Sequence, residues 1–249
     1  MPPAVPLVRT PITTPTPTGG SGTSPGGAAG GTRGTSGPDS LRGTAGANLI
    51  FGLGGPDSIL GLGADDSLYG GDGDDSLLGD VGNDRLFGGA GRDSVLGGTG
   101  DDTFYGGKGS DSMLGDEGND LLFGNQDTDT LLGGAGNDTF FGGAGDDSLF
   151  GGIGDDCLSG DRGLDTLTGG AGNDTFAIGR FADGDVITDF TDGTDRIRLA
   201  AGLTFGELTI SAGAGTSPTT IIQLTSTKET LATLFGVART SISQADFIL

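Results

Sequence analysis

The chain of 249 residues has no histidine, no tryptophan and a single cysteine. Without histidine the usual zinc motifs, the Ser/His/Asp triad and the Cys/His dyad are all excluded. One cysteine rules out a disulfide framework within the chain. Bases are also scarce, 12 Lys and Arg against 34 Asp and Glu, and the net charge of −22 repels nucleic acid and anionic membranes. No apolar run reaches the 18 residues of a transmembrane helix. Near the start Pro2, Pro3, Pro6 and Pro11 interrupt every stretch that could serve as a secretory signal. Cations remain as the natural partner.

What the chain has in abundance is glycine, 55 residues of it, and its distribution defines three regions. Residues 1–33, rich in Pro, Thr and Gly and free of acid, read as a disordered leader. Residues 34–177 hold 26 acids and 5 bases, a local net charge of −21. Residues 178–249 turn to Ile, Leu, Thr and Phe.

From Gly34 the middle region falls into sixteen nonapeptides without a slip: GTSGPDSLR, GTAGANLIF, GLGGPDSIL, GLGADDSLY and so on to GGAGNDTFA. Position 1 is Gly throughout. Position 4 is Gly except at Ala64 and Asp127, position 6 is Asp except at Asn48, and position 8 is always apolar. Such a fixed period predicts a solenoid in which each unit stacks on the next. Positions 1 to 6 are expected to form a turn in which glycine supplies positive φ. Asp80, Asp116, Asn125 and Asp161 at position 2 belong to types that tolerate the left-handed region. Positions 7 to 9 then form a short strand with position 8 inward, so that Leu68, Leu77, Leu86, Val95, Phe104 and Met113 line a thin core. Two nonapeptides make one coil of 18 residues. The fold predicted is an all-β, right-handed parallel β-roll of about eight coils with a C-terminal β-rich cap.

The unit resembles G-G-x-G-x-D-x-U-x, the calcium-binding repeat of the RTX (repeats-in-toxin) family, a pattern that serves as the standard example of a nonapeptide repeat. An isolated Asp in a glycine turn is a turn former bonded to nearby N–H groups. Stacking changes that reading, because same-side turns lie about 4.8 Å apart. Asp39, Asp57, Asp75, Asp93, Asp111, Asp129, Asp147 and Asp165 then form one file of carboxylates, and Asp66, Asp84, Asp102, Asp120, Asp138, Asp156 and Asp174 the other. Neighbours in a file repel by about 1 kcal/mol even in water, and a counter-cation removes the problem. The donors are all oxygen: position-6 carboxylates plus carbonyls of the turn glycines Gly70, Gly73, Gly88, Gly91, Gly97, Gly100, Gly106, Gly109, Gly133, Gly136, Gly142, Gly145, Gly151 and Gly154. That set suits Ca²⁺ over Mg²⁺ or soft metals. Two files of eight turns hold at most about 14 ions, with Asn48, Leu53, Leu62 and the GNQDTD turn at Gly124 marking the weak places. High charge with little apolar surface predicts disorder until calcium binds. Cytosol would leave such a region unfolded, and the extracellular medium would fold it.

Position 9 is apolar and sorted by face, with Phe51, Tyr69, Phe87, Tyr105, Phe123 and Phe141 on one sheet and Leu60, Leu78, Leu96, Leu114, Leu132 and Phe150 on the other. These ladders either stiffen each sheet or form an apolar surface for self-association or a cell-surface partner. Cys157, at position 7, is expected to face solvent.

After Ala177 the period fails, and DVITDF, DRIRLAAGLTF, ELTI, TTIIQL and LATLFGV read as strands capping the solenoid. DVITDFTDGTDRIRL resembles the segment after the repeats in serralysin-like and cyanobacterial RTX proteins. The last residues, Ala245, Asp246, Phe247, Ile248 and Leu249, look like the C-terminal signal those proteins present to a type I exporter, and an ordinary final strand is the other reading. No HExxH segment or pore-forming domain precedes the repeats, so protease or toxin activity does not carry over. Paired carboxylates of the glycoside-hydrolase kind are disfavoured by columns identical down the roll. The sequence thus reads as a secreted, non-enzymatic, calcium-binding structural roll, with a surface-layer or adhesive interaction protein as the alternative.

Overall fold

In a computed structural model, residues 31–179 and 184–248 are described. Each nonapeptide contributes one strand, and these strands stack in parallel, each coil on the one before, within two sheets of 11 and 12 members. Partners are 18 residues apart, as in Leu68↔Leu86 and Leu77↔Val95. The strand is longer than the sequence implies. It runs six residues, from position 7 to position 3 of the next unit, as in Ser67–Asp72 and Ser76–Val81. Positions 2 and 3 still pair with the next coil, for example Gly71↔Gly89 and Asp72↔Ala90. The turn shrinks to positions 4 to 6.

Alternation along such a strand sends positions 6, 8 and 1 inward and positions 7, 9 and 2 outward. Position 8 forms the core as predicted: Leu68, Leu86, Phe104, Leu122, Phe140 and Phe176 are fully buried. Position 9 is half-buried, and its aromatic file is a continuous stack from Phe51 to Phe141 with ring centroids 4.5 to 5.1 Å apart. Each ring covers the face of the next.

Both ends depart from the expected boundaries. Most of the expected leader, residues 1–30, lies outside the described residues. Thr32–Arg33, assigned to that leader from sequence, form a strand on Ile50 and Phe51, and the Arg33 guanidinium sits 4.7 Å over the Phe51 ring. At the other end the coil does not stop at Ala177. Asp185–Ile187 stack on Thr166–Ala171, and Arg196–Leu199 on Thr175–Ile178. The solenoid therefore has about nine turns rather than eight. Thr230–Phe235 then stacks parallel on Asp185–Ile187 and pairs antiparallel with Thr219–Leu224, which pairs antiparallel with Leu208–Ala212. This three-stranded meander is the β-rich cap. Phe247–Ile248 adds a last short strand beside Ile197 and Arg198. Among the described residues no helix is long and apolar enough to cross a membrane.

Candidate metal centre

The inward turn of position 6 buries its carboxylate, with every position-6 Asp from Asp57 to Asp174 at most 4% exposed and Asp39 at 9%. The two carboxylate oxygens meet different surroundings. Oδ1 accepts the backbone N–H of the position-6 residue one coil earlier, at 2.8 Å in Asp57 to Asp75 and 2.7 Å in Asp84 to Asp102. The ladder continues through Asp111 to Asp129 and Asp138 to Asp156. Oδ2 is buried and has no hydrogen-bond partner at Asp57, Asp66, Asp75, Asp84, Asp93, Asp102, Asp111, Asp120, Asp129, Asp138, Asp147, Asp156 and Asp165. An unpartnered buried polar atom costs about 1–3 kcal/mol, and more when charged. Thirteen along one axis are not sustained by a core one side chain thick.

Position 1 explains where Oδ2 points. A Cβ placed on Gly70, Gly88, Gly97, Gly106, Gly133, Gly142 or Gly151 would collide with Oδ2 of the same unit's Asp and with the carbonyl oxygen of the position-1 glycine one coil on. These glycines do not have the positive φ expected for them, so their invariance comes from close approach. Positive φ belongs to positions 2 and 4, as at Gly73 (130°), Gly91 (134°), Gly100 (126°), Gly109 (107°), Gly136 (134°), Gly145 (144°) and Gly154 (144°). Asp80, Asp116, Asn125 and Asp161 do adopt the left-handed region, and so do Leu53 at 86° and Leu62 at 93°, which are strained there.

Burial pushes the position-6 carboxyls well above their ordinary range: to about 7 at Asp75, Asp102 and Asp138, about 8 at Asp129, and about 6 at Asp84, Asp93, Asp111 and Asp120. Asp147, Asp156, Asp165 and Asp174 also rise to about 6. The N–H from the coil before pulls the other way, and at Asp129 and Asp138 the neighbouring carboxylates add a smaller upward push. Desolvation thus outweighs the repulsion between file members on which the sequence reading rested.

The donors fit a hard cation. Anionic oxygens without proton donors lie beside backbone carbonyl oxygens, and no soft ligand is present. Among the described residues no three His, Cys, Asp or Glu side chains converge on one metal position. Carbonyl oxygens must therefore complete any coordination. Asp39 and Asn48, the first members of the files, differ from Asp57 to Asp165 in that Oδ2 of Asp39 and Oδ1 of Asn48 accept hydrogen bonds from Thr35 and Thr44.

Two members were missed in the sequence. Asp165 N–H donates to Asp185 Oδ1 at 3.2 Å, and Asp174 N–H to Asp195 Oδ1 at 3.0 Å, so the files end at Asp185 and Asp195. The signal was the D-x-U triplet in Asp185–Ile187 and in Asp195, Arg196 and Ile197, hidden by spacings of 20 and 21. Asp189 accepts from the N–H groups of Gly169 and Gly170. Position 5 carries a second, exposed ladder running the opposite way, Asn83 N–H to Asp65, Asp101 N–H to Asn83 and Asn119 N–H to Asp101. Cys157 lies on the outward face, as position 7 does throughout, and is half-buried there, with Arg198 donating to its Sγ at 3.1 Å.

A family model described as the RTX calcium-binding nonapeptide repeat (four copies) matches residues 33–63, 51–86, 60–95, 87–122, 123–158 and 154–184, an unbroken stretch covering more than half of the chain. No curated protein matches it. Among solved structures, the AlgE6R3 subunit of the Azotobacter vinelandii mannuronan C5-epimerase is 29% identical with a TM-score of 0.41, covering 49% of this chain and 78% of that one. The extracellular lipase LipA of Serratia marcescens is 19% identical with a TM-score of 0.33, covering 86% of this chain and 40% of that one. Both scores are low, and kinship rests on the repeat match.

Proposed function

The chain belongs to the RTX calcium-binding nonapeptide repeat family, and from that premise we propose that it is a structural roll secreted unfolded and folded by Ca²⁺ outside the cell. One observation carries the reading: thirteen buried carboxylate oxygens that no proton donor among the described residues satisfies. Bound Ca²⁺ supplies the positive charge that these oxygens lack and takes carbonyl oxygens as its remaining ligands. The chain's own part is to hold the carboxylates still. The position-6 N–H clamps Oδ1 of the next coil, which leaves Oδ2 facing the position-1 glycines of two coils. Because the sites exist only when coils stack, binding and folding are one equilibrium. Extracellular modules of this ligand type bind at about 10⁻⁴ to 10⁻³ M, which makes the roll a sensor of leaving the cell.

The Asp files repeat without a distinguished position, which supports a role without catalysis. The face-to-face aromatic stack supports stiffening of the sheet over an open docking surface, since each ring covers its neighbour. For export, the C-terminal residues act as the exporter's signal while the chain is unfolded and as the strand Phe247–Ile248 afterwards. Calorimetric titration of the chelator-treated chain should give about 13 Ca²⁺ per molecule; fewer than five would remove the reading. Deleting Ser243–Leu249 should abolish secretion by a compatible type I exporter while calcium still folds residues 34–177, and undiminished secretion would leave those residues as a strand only.

A further inference from the structure

Two turns at the N-terminal end of the roll are built differently from those between. In the first, Thr35 at position 2 donates both its N–H, at 2.6 Å, and its hydroxyl, at 2.9 Å, to Oδ2 of Asp39. In the second, Thr44 donates the same pair to Oδ1 of Asn48, at 3.1 and 3.2 Å. The Asn48 amide then donates to the Gly46 carbonyl of its own turn and to Asp66 Oδ1. At the far end Thr191, four residues before Asp195 as Thr35 is before Asp39, donates its N–H to Asp195 Oδ2 at 2.7 Å.

The backbone differs as well. From Leu53 onward position 2 is left-handed at residues as unlike as Leu53 (86°), Gly71 (119°), Asp80 (83°) and Asn125 (80°), whereas Thr35, Thr44 and Thr191 are not. Where position 2 is left-handed, as at Leu53, Gly71 and Asp80, Oδ2 of that turn's Asp has no donor. Where it is a threonine outside that region, the same place is filled by the N–H and hydroxyl of Thr35 and Thr44 and by the N–H alone of Thr191, whose hydroxyl donates to the Asp189 carbonyl. Asp39, Asn48 and Asp195 are also three of the four ends of the two carboxylate files, the fourth being Asp185.

We propose that Thr35, Thr44 and Thr191 are cation-replacing closures: a threonine at position 2 satisfies the position-6 side chain, so these turns take no calcium and terminate the files. The inference rests on the reading that the interior turns do bind calcium. Its physical sense is that, among the described residues, a turn at the end of a file has a neighbouring file member on one side only and offers a cation fewer carboxylate oxygens than an interior turn offers. A hydrogen-bonded closure stops the array without leaving a charged oxygen uncovered, and position 2 becomes the residue that decides which turns are metal sites.

The test counts calcium by titration calorimetry on the full chain, with folding in calcium followed by circular dichroism. Thr35→Gly restores the G-G-x-G-x-D pattern around Asp39 and should add one Ca²⁺ per chain; Thr191→Gly should add one at the other end. Thr35→Ser, which keeps N–H and hydroxyl, should add none. Should a glycine variant fold poorly, the second turn gives the answer. Asn48→Asp alone should leave the count unchanged because Thr44 still closes on the new carboxylate, and Thr44→Gly with Asn48→Asp should add one. A gain from Asn48→Asp alone, or no gain from Thr35→Gly in a folded chain, overturns the closure. A wild-type chain that binds no calcium overturns the underlying reading instead.

Discussion

Between Gly34 and Ala177 each nonapeptide buries one apolar side chain and, in nearly every unit, one carboxylate; from Leu203 to Ile248 the chain buries Leu203, Ile222, Leu224, Leu231, Ala232, Leu234 and Val237 together. The polar groups buried in the second region have partners. Thr220 donates to the Val237 carbonyl at 3.0 Å, and Asp246 accepts from both the N–H and the hydroxyl of Ser243. The carboxylates buried in the first, from Asp57 to Asp165, end in oxygens with no donor among the described residues. The cap therefore closes with what the sequence carries, and the roll does not. A solenoid whose interior is one residue wide has little apolar area to offset buried charge, and on the proposed reading bound Ca²⁺ makes up the difference.

Substitutions in the two regions should respond differently to calcium. Ile222→Ala in the cap should lower stability by about 2–5 kcal/mol in denaturant titrations of the calcium-loaded chain, while the number of bound ions changes by no more than one. A large loss of calcium would mean that the cap and the roll are a single unit. Gly115→Ala should cost roughly 1–3 kcal/mol of the calcium-loaded fold, because its Cβ meets Asp120 Oδ2 and the Gly133 carbonyl. In chelator the same variant should be indistinguishable from wild type by circular dichroism.

Acidity offers a third contrast. With the folded-state pKa of Asp129 pushed up to about 8 and those of Asp75, Asp102 and Asp138 to about 7, the folded roll binds protons more tightly than the unfolded chain, whose carboxyls titrate near 4. That contribution to metal-free stability is fully present below about pH 4 and is lost as pH rises through 6 to 8. Lowering the pH of a chelated sample from 8.5 to 5 should therefore increase its β-signal, and in calcium the midpoint concentration should rise over the same range as protons compete. A midpoint independent of pH would show that the buried carboxylates are not the ligands. Asp111→Ala should remove at least one calcium, whereas Asp101→Ala, which lies on the exposed position-5 ladder, should remove none. Equal losses of calcium would place the register wrongly.

Most of the roll was legible because two periods coincide: nine residues between like positions and eighteen between stacked ones. Leu68 over Leu86 and Asp57 over Asp75 follow from counting alone. Position 1 was read correctly as invariant and for the wrong reason, since a glycine kept for its conformation and one kept for close approach look alike in sequence. Positions 2 and 3 also read as part of a turn, although they pair in the sheet. Asp185 and Asp195 were lost to insertions that break the count while preserving D-x-U. The position-5 ladder was visible in principle, because Asp65, Asn83, Asp101, Asn119, Asn137, Asp155 and Asn173 recur every 18 residues.

Hydrogen exchange with and without chelator tests the dependence on calcium most directly. The account predicts that amides from Ser67 to Ala171 exchange at unfolded-chain rates in chelator and become protected together as Ca²⁺ rises through about 10⁻⁴ to 10⁻³ M. Protection of those amides in chelator at neutral pH equal to that in calcium would contradict it.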